Sequence, residues 1–300
     1  MSFKEELDVR CEIINSLLEN YGKFAEKSYQ KTVMEAMEYS LFAGGKRLRP
    51  MLMLETYRMF GGKGEVIEPF MAAIEMLHTY SLVHDDLPAM DNDEYRRGRK
   101  TTHIVYGEDM AILCGDALLN YSFETALKAY DVAEPEEVPR IAGALKVFAN
   151  KAGIFGMVGG QTFDVEAERL EKKVNEDELL FIFRLKTAAL LQSSMMVGAI
   201  LAGASDEDVE KISEIAMNVG IAFQIQDDIL AVTSTQEVLG KPIGSDERNN
   251  KTTYVTLKGL EVAKEDVRRY SNAALKDLSE LSVKNEFLYK LIEELITRVK

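Results

Sequence analysis

Two acidic clusters break into otherwise apolar sequence: Asp85-Asp86-Leu87-Pro88-Ala89-Met90-Asp91 and, much later, Asp227-Asp228. Each follows an apolar stretch from which carboxylates are normally excluded. A carboxylate buried without a partner costs several kcal/mol, so any fold that places these clusters against its core must supply cations to neutralise them.

The surrounding sequence reads as helices. Of the 300 residues, 46% are hydrophobic, enough for a substantial core; Gly and Pro are sparse at 20 and 6, and Trp is absent. Alternating strand patterns are scarce beside long stretches of Ala, Leu, Met, Glu and Lys. Start and stop signals predict helices over residues 4–21, 32–42, 48–60, from 66 into the first acidic cluster, 110–130, 137–150, 176–201, 206–231, 254–278 and 284–299. Gly44-Gly45 and Gly61-Gly62 are suited to end helices, and Pro50 to a first turn. Asp206, Glu207 and Asp208 suit the positive end of a helix dipole rather than chemistry. With no linker, repeat or low-complexity tract, the expectation is one all-α domain over residues 1–300.

A formal net charge of -14 argues against binding to bulk nucleic acid or an anionic membrane surface, both of which need a basic face, but not against a small phosphorylated ligand. Cys11 and Cys114 form neither a disulfide framework nor a metal spacing, and fit a reducing compartment. Charges at Lys4, Glu5 and Glu6 stand where a secretory signal needs an apolar core, so a cytoplasmic location is expected. The longest uncharged run, 187–204, carries Gln192, Ser193, Ser194, Gly198 and Gly203, and is read as core rather than a membrane span.

Residues four apart on a helix share a face, so Asp227 and position 231 point the same way, with Gln224 one turn earlier. Asp85 and Asp91 are badly placed on an unbroken helix. Pro88 offers the remedy: it removes a backbone donor and clashes with the preceding turn, so the chain breaks there and can swing Asp91 back toward Asp85. Separate carboxylates of this kind suit magnesium, which keeps several waters and commonly bridges a few carboxylates to phosphate. No calcium-binding loop is present.

The acidic chain concentrates positive charge in Gly44-Gly45-Lys46-Arg47-Leu48-Arg49-Pro50 and in Arg96-Arg97-Gly98-Arg99-Lys100. Glycine lets backbone approach an anion, lysine brings a point charge, and arginine a planar fork matched to phosphate oxygens. Lys186, Lys241 and Lys251 are further candidates. His78 lies two turns before Asp85 on roughly the same face and can donate to phosphate. No Ser-His-Asp or Cys-His grouping is apparent.

Taken in order, the glycine-arginine motif at 44–50, His78, the acidic motif at 85–91 and Arg96-Arg97-Gly98 resemble the first half of a trans-isoprenyl diphosphate synthase. Gly156-Met157-Val158-Gly159-Gly160-Gln161, Lys186-Thr187, Gln224-Ile225-Gln226-Asp227-Asp228, Gly240-Lys241 and Lys251-Thr252-Thr253-Tyr254 are similar to the second half. The resemblance implies a helical prenyltransferase fold around a deep central cavity, usually a homodimer. It implies that an allylic diphosphate, held with three magnesium ions, ionises and is attacked by the double bond of isopentenyl diphosphate. On this resemblance Asp85, Asp91 and Asp227 bind magnesium, supported by Asp86 and Asp228. Arg96, Lys186 and Lys241 grip the allylic diphosphate. Lys46, Arg49, His78 and Arg97 hold isopentenyl diphosphate, and Thr187 and Gln224 lie beside the developing cation.

At about 1.5 Å per residue, Tyr80 lies about 7.5 Å along the helix from Asp85, where an aromatic ring can act as a floor for the growing chain. Tyr80-Ser81 and the Pro88-Ala89 insertion resemble bacterial farnesyl diphosphate synthases. Departures are Ala231, where the family usually has a third aspartate, and Lys100 and Val255, where proline is common. The rival expectations are a ten- or twenty-carbon product, a noncatalytic subunit of a heteromeric synthase and, more weakly, a class I terpene cyclase.

Overall fold

A computed structural model describes residues 1–24, 28–233 and 252–297. They group into two compact units, residues 1–54 with 64–141 and residues 55–63 with 142–300. Helices α3 (Leu48–Met59) and α8 (Val138–Ala152) contribute residues to both.

The first unit contains α1 (Phe3–Gly22), α2 (Lys31–Leu41), the first half of α3, α4 (Ile67–Asp85), α5 (Thr102–Tyr106), α6 (Glu108–Leu127) and α7 (Ala129–Val132). A capping box between Ser2 and Glu5 starts α1. Pro69 to Leu77 on α4 are buried without a break, the mark of a helix enclosed on all sides. That stretch includes one charge, Glu75. Helix α6 packs along α4, where Thr125 Oγ1 donates to Met76 Sδ at 3.5 Å and the His84 ring lies against Gly115. Where the sequence suggested only loop, a two-stranded antiparallel ribbon pairs β1 (Tyr95–Arg96) with β2 (Arg99–Lys100).

The second unit contains α9 (Met157–Arg169), α10 (Glu176–Ile182), a π-helical segment over Phe183–Ala188, α11 (Ala189–Ala202), α12 (Asp206–Thr233), α13 (Tyr254–Lys258), α14 (Leu260–Glu280) and α15 (Glu286–Thr297). Capping boxes start α10 at Asn175 and α13 at Thr253. Ser205 Oγ accepts from Asp208 N–H at 3.2 Å and so caps α12, whose first turn holds Asp206, Glu207 and Asp208 at the positive end of its dipole.

Three expectations are corrected. Helix α9 is not predicted from the sequence because Gly159 and Gly160 in its first turn, behind the N-cap Gly156, depress helix propensity, an effect that packing overrides. The helix expected over 254–278 is broken at Gly259, whose φ is 85°. The helix expected over 176–201 contains a π turn, which residue periodicity does not reveal.

Among the described residues, the segments Val138–Arg169, Glu176–Ala202 and Asp206–Thr233 are long and apolar enough to cross a membrane. Of their most apolar windows, 33%, 67% and 56% are already buried within the protein. Both cysteines are free.

Candidate active site

In the first unit, α4 stops at Asp85, before the proline, and the chain turns on itself. Asp91 N–H donates to the Asp85 carbonyl at 2.9 Å, and Asn92 N–H to the Leu87 carbonyl at 3.1 Å. The return expected at Pro88 is therefore present in the backbone. Asp85 is half-buried and Asp91 exposed, but Asp86 is buried and turned elsewhere. Arg96 Nε donates to both oxygens of Asp86 at 2.8 Å, and Nη2 lies 2.5 Å from Oδ1. Burial opposes the Arg96 charge, yet the bonds and charge of Asp86 more than compensate and raise its pKa.

Arg97 and Gly98, with φ of 53° and 74°, form the turn of the ribbon, a pair of positive angles that matches the twist of a tight hairpin. The turn sends the Arg97 guanidinium back to donate to the Gly44 carbonyl. Gly45 is required beneath it: a Cβ there would lie 2.7 Å from Arg97 Nη1, at a φ of 130°. The glycine-arginine loop and the ribbon, far apart in sequence, thus form one cationic cluster.

That cluster has an electrostatic signature. Arg49 is lowered to about 10 by burial, with Arg97 adding to the effect and Glu75 opposing it, and its buried Nε has no hydrogen-bond partner among the described residues. Arg97 is lowered by burial and then by Arg47 and Arg96, while Glu75 and Asp86 oppose. His78 is held well below 6.5, first by burial and then by Arg49, Arg97, Arg96 and Arg47. A neutral imidazole surrounded by guanidinium groups, one with a buried unsatisfied N–H, is a site short of an anion. Lys46 is exposed at its edge. Tyr80 is buried, its ring edge-on to His84 with centroids 5.8 Å apart, and its hydroxyl is pushed to about 12 by burial and by Asp85.

In the second unit, the π segment presents Lys186 and Thr187. Gly160 of α9 packs so close to this segment that a Cβ would lie 2.3 Å from Lys186 N. Lys186 Nζ pairs with Asp164 Oδ2 at 2.7 Å, and Thr187 Oγ1 donates to Gln224 Oε1 at 2.9 Å. Gln224 precedes Asp227 by about one turn on α12, as the spacing implies, and its amide donates to Asp228 Oδ1 at 3.4 Å. Asp228 is buried, and its other oxygen accepts from Tyr254 N–H at 2.7 Å. Lys186, Thr187, Gln224, Asp164, Phe183 and Asp228 are among the residues around a cavity of about 130 Å³. Asp227 is half-buried, as is Ala231 one turn further. Asp164 is a site residue absent from the motifs above, although an acid between Phe163 and Val165, shortly after Gly159-Gly160-Gln161, was a usable signal. Lys241, with Gly240 and Lys251, lies outside the described residues.

Hard carboxylate oxygens on Asp85 and Asp91 suit magnesium chemically, whereas both Asp86 oxygens are taken by Arg96. Among the described residues no three His, Cys, Asp or Glu side chains gather closely enough to hold a metal alone. The set fits an ion that draws the rest of its shell from phosphate and water.

Helical units bearing acidic motifs, cation clusters and a π turn define a diphosphate-handling helical synthase. The chain belongs to the polyprenyl synthetase family, whose sequence profile matches residues 30–292. It is 42% identical to the farnesyl diphosphate synthase of Geobacillus stearothermophilus over 298 residues, 99% of this chain and 98% of that one. It is 43% identical to the geranylgeranyl diphosphate synthase of Cyanophora paradoxa over 279 residues, 89% of this chain and 90% of the other. A solved structure of a Helicobacter pylori geranyltransferase, complexed with magnesium and isoprenyl diphosphate, superimposes with a TM-score of 0.84 at 32% identity, covering 99% and 97% of the two chains.

Proposed function

We propose that this protein is a prenyltransferase that condenses isopentenyl diphosphate with dimethylallyl and then geranyl diphosphate to give (E,E)-farnesyl diphosphate. The observation that carries this reading is the anion-deficient cluster of Arg49, His78 and Arg97 on the same unit as the folded-back Asp85–Asp91 turn.

In the reaction, the allylic C–O bond breaks and diphosphate leaves with the electron pair. The double bond of isopentenyl diphosphate attacks the allylic cation, and the tertiary cation that results gives up one proton to the departed diphosphate, leaving a new double bond. Asp85, Asp91 and Asp227 are the residues that would hold magnesium, three ions per site, which when bound neutralises the charge developing on the leaving diphosphate. Lys186, Arg96 and Lys241 bind the allylic diphosphate. Since Asp86 occupies Nε and part of Nη2 of Arg96, phosphate contacts fall to its remaining N–H groups. Lys46, Arg49, Arg97 and neutral His78 bind the diphosphate of isopentenyl diphosphate. The Thr187 and Gln224 oxygens supply oriented dipoles beside the cation, effective where water is excluded.

The single-domain reading belongs to the same proposal: turnover requires the residues of both units in one chain. So does a cytoplasmic homodimer without a membrane span or nucleic-acid partner. Ile104, Val105, Ile112 and Leu113, between 41% and 48% exposed on α5 and α6, offer an apolar surface for the second copy. The geranylgeranyl synthase relative makes a twenty-carbon product the second reading.

The test is to incubate the purified protein with magnesium, isopentenyl diphosphate and each allylic primer, then chromatograph the dephosphorylated products. Fifteen carbons are expected. A twenty-carbon main product favours the second reading, and no turnover by the isolated chain defeats both.

A further inference from the structure

Arg47 stands in the middle of the glycine-arginine motif, yet it cannot be one of the motif's phosphate ligands. Only 3% of it is exposed, and each of its guanidinium nitrogens is already committed inside the protein. Nη1 donates to Glu75 Oε1 at 2.7 Å, Nη2 to the Leu41 carbonyl at 3.0 Å, and Nε to Asn15 Oδ1 at 3.0 Å. Its backbone is left-handed, with φ at 49°, a conformation that a long side chain adopts only where its surroundings impose it. One side chain thereby ties α1, the end of α2, the loop and α4 together.

Glu75 explains why the tie is ionic. It is 2% exposed within the unbroken buried stretch of α4, and it lies one turn before His78. A buried pair of this kind seldom stabilises more than apolar residues of the same shape, and its best-attested use is to fix a register. What is registered here is the loop that carries Lys46, with the first turn of α3 that carries Arg49, against the turn of α4 that carries His78. Glu75 also favours the charged forms of both Arg49 and Arg97, so it makes their crowding tolerable before any anion arrives.

We propose that Arg47 and Glu75 are positioning residues for the diphosphate of isopentenyl diphosphate, a buried lock that holds Lys46, Arg49 and His78 in one clamp without touching the ligand. The inference rests on the prenyltransferase reading above and deepens it.

The test compares wild type with Arg47→Lys, Glu75→Gln and Asn15→Ala in steady-state kinetics with geranyl and isopentenyl diphosphate varied separately, and in calorimetric binding of isopentenyl diphosphate. Arg47→Lys and Glu75→Gln should raise KM for isopentenyl diphosphate by about tenfold or more, with kcat and KM for geranyl diphosphate within about twofold. Calorimetric affinity should weaken in parallel. Asn15 is exposed and loses only the Nε contact, so Asn15→Ala should fold even where the others do not, and should raise the same KM by about threefold. A KM for isopentenyl diphosphate unchanged in every folded variant, or raised equally for both substrates, overturns the lock. Wild-type protein that neither turns over nor binds isopentenyl diphosphate overturns the prenyltransferase reading instead, and the lock with it.

Discussion

The backbone N–H of Asp91 donates to the carbonyl of Asp85 at 2.9 Å, closing a turn that carries the first acidic motif back on itself. The main chain therefore brings the two acids of the motif back toward one another. Because Asp91 is exposed, Asp91→Ala should change stability by no more than about 0.5 kcal/mol. Turnover at saturating substrate should nevertheless fall by about a hundredfold or more, with a higher magnesium requirement. Thermal melts and magnesium titrations read both quantities; full activity in the variant would remove Asp91 from the metal set.

Tyr80 is 6% exposed and packs edge-on to His84. Tyr80→Ala should lengthen the product beyond fifteen carbons, whereas Tyr80→Phe keeps the ring and should keep the length. Chromatography of products from isopentenyl and geranyl diphosphates decides. An unchanged product from a folded, active Ala variant would show that the ring only packs the core.

Ala231 lies on the Asp227 face of α12, one turn on. Ala231→Asp should lower the magnesium concentration for half-maximal activity by roughly tenfold, the scale on which supporting groups act on metal affinity. An unchanged or higher requirement would mean that position 231 does not serve the metal.

His78 resists protonation because burial and the arginines around it disfavour a charged imidazole. The unfolded chain takes up that proton near pH 6.5, and the folded chain only at lower pH. Stability should therefore be indifferent to this group above pH 6.5 and fall as pH drops below it. Melting temperatures of wild type and His78→Gln between pH 8 and 5 give the check. The wild type should lose more on acidification; parallel curves would contradict a histidine kept neutral by its surroundings.

The all-helical class, the order of the motifs and the break at Pro88 were legible because they depend on local chemistry: helix propensity, the periodicity of apolar residues and a missing backbone donor. The same applies to Asp227 and position 231, whose common face follows from helical spacing alone. Pairings between distant side chains were not legible. That Asp86 holds Arg96, that Asp164 holds Lys186, and that Arg47 turns inward to Glu75 depends on which helices pack and how closely. The π turn at Phe183–Ala188 is likewise imposed by packing against α9 and α12, where Gly160 and Gly220 leave no room for a Cβ. The sequence alone determined which charges this protein carries and on which helical faces; only the tertiary structure decided which of them neutralise one another and which remain for a ligand, because a buried charge takes the partner that packing brings within hydrogen-bond reach.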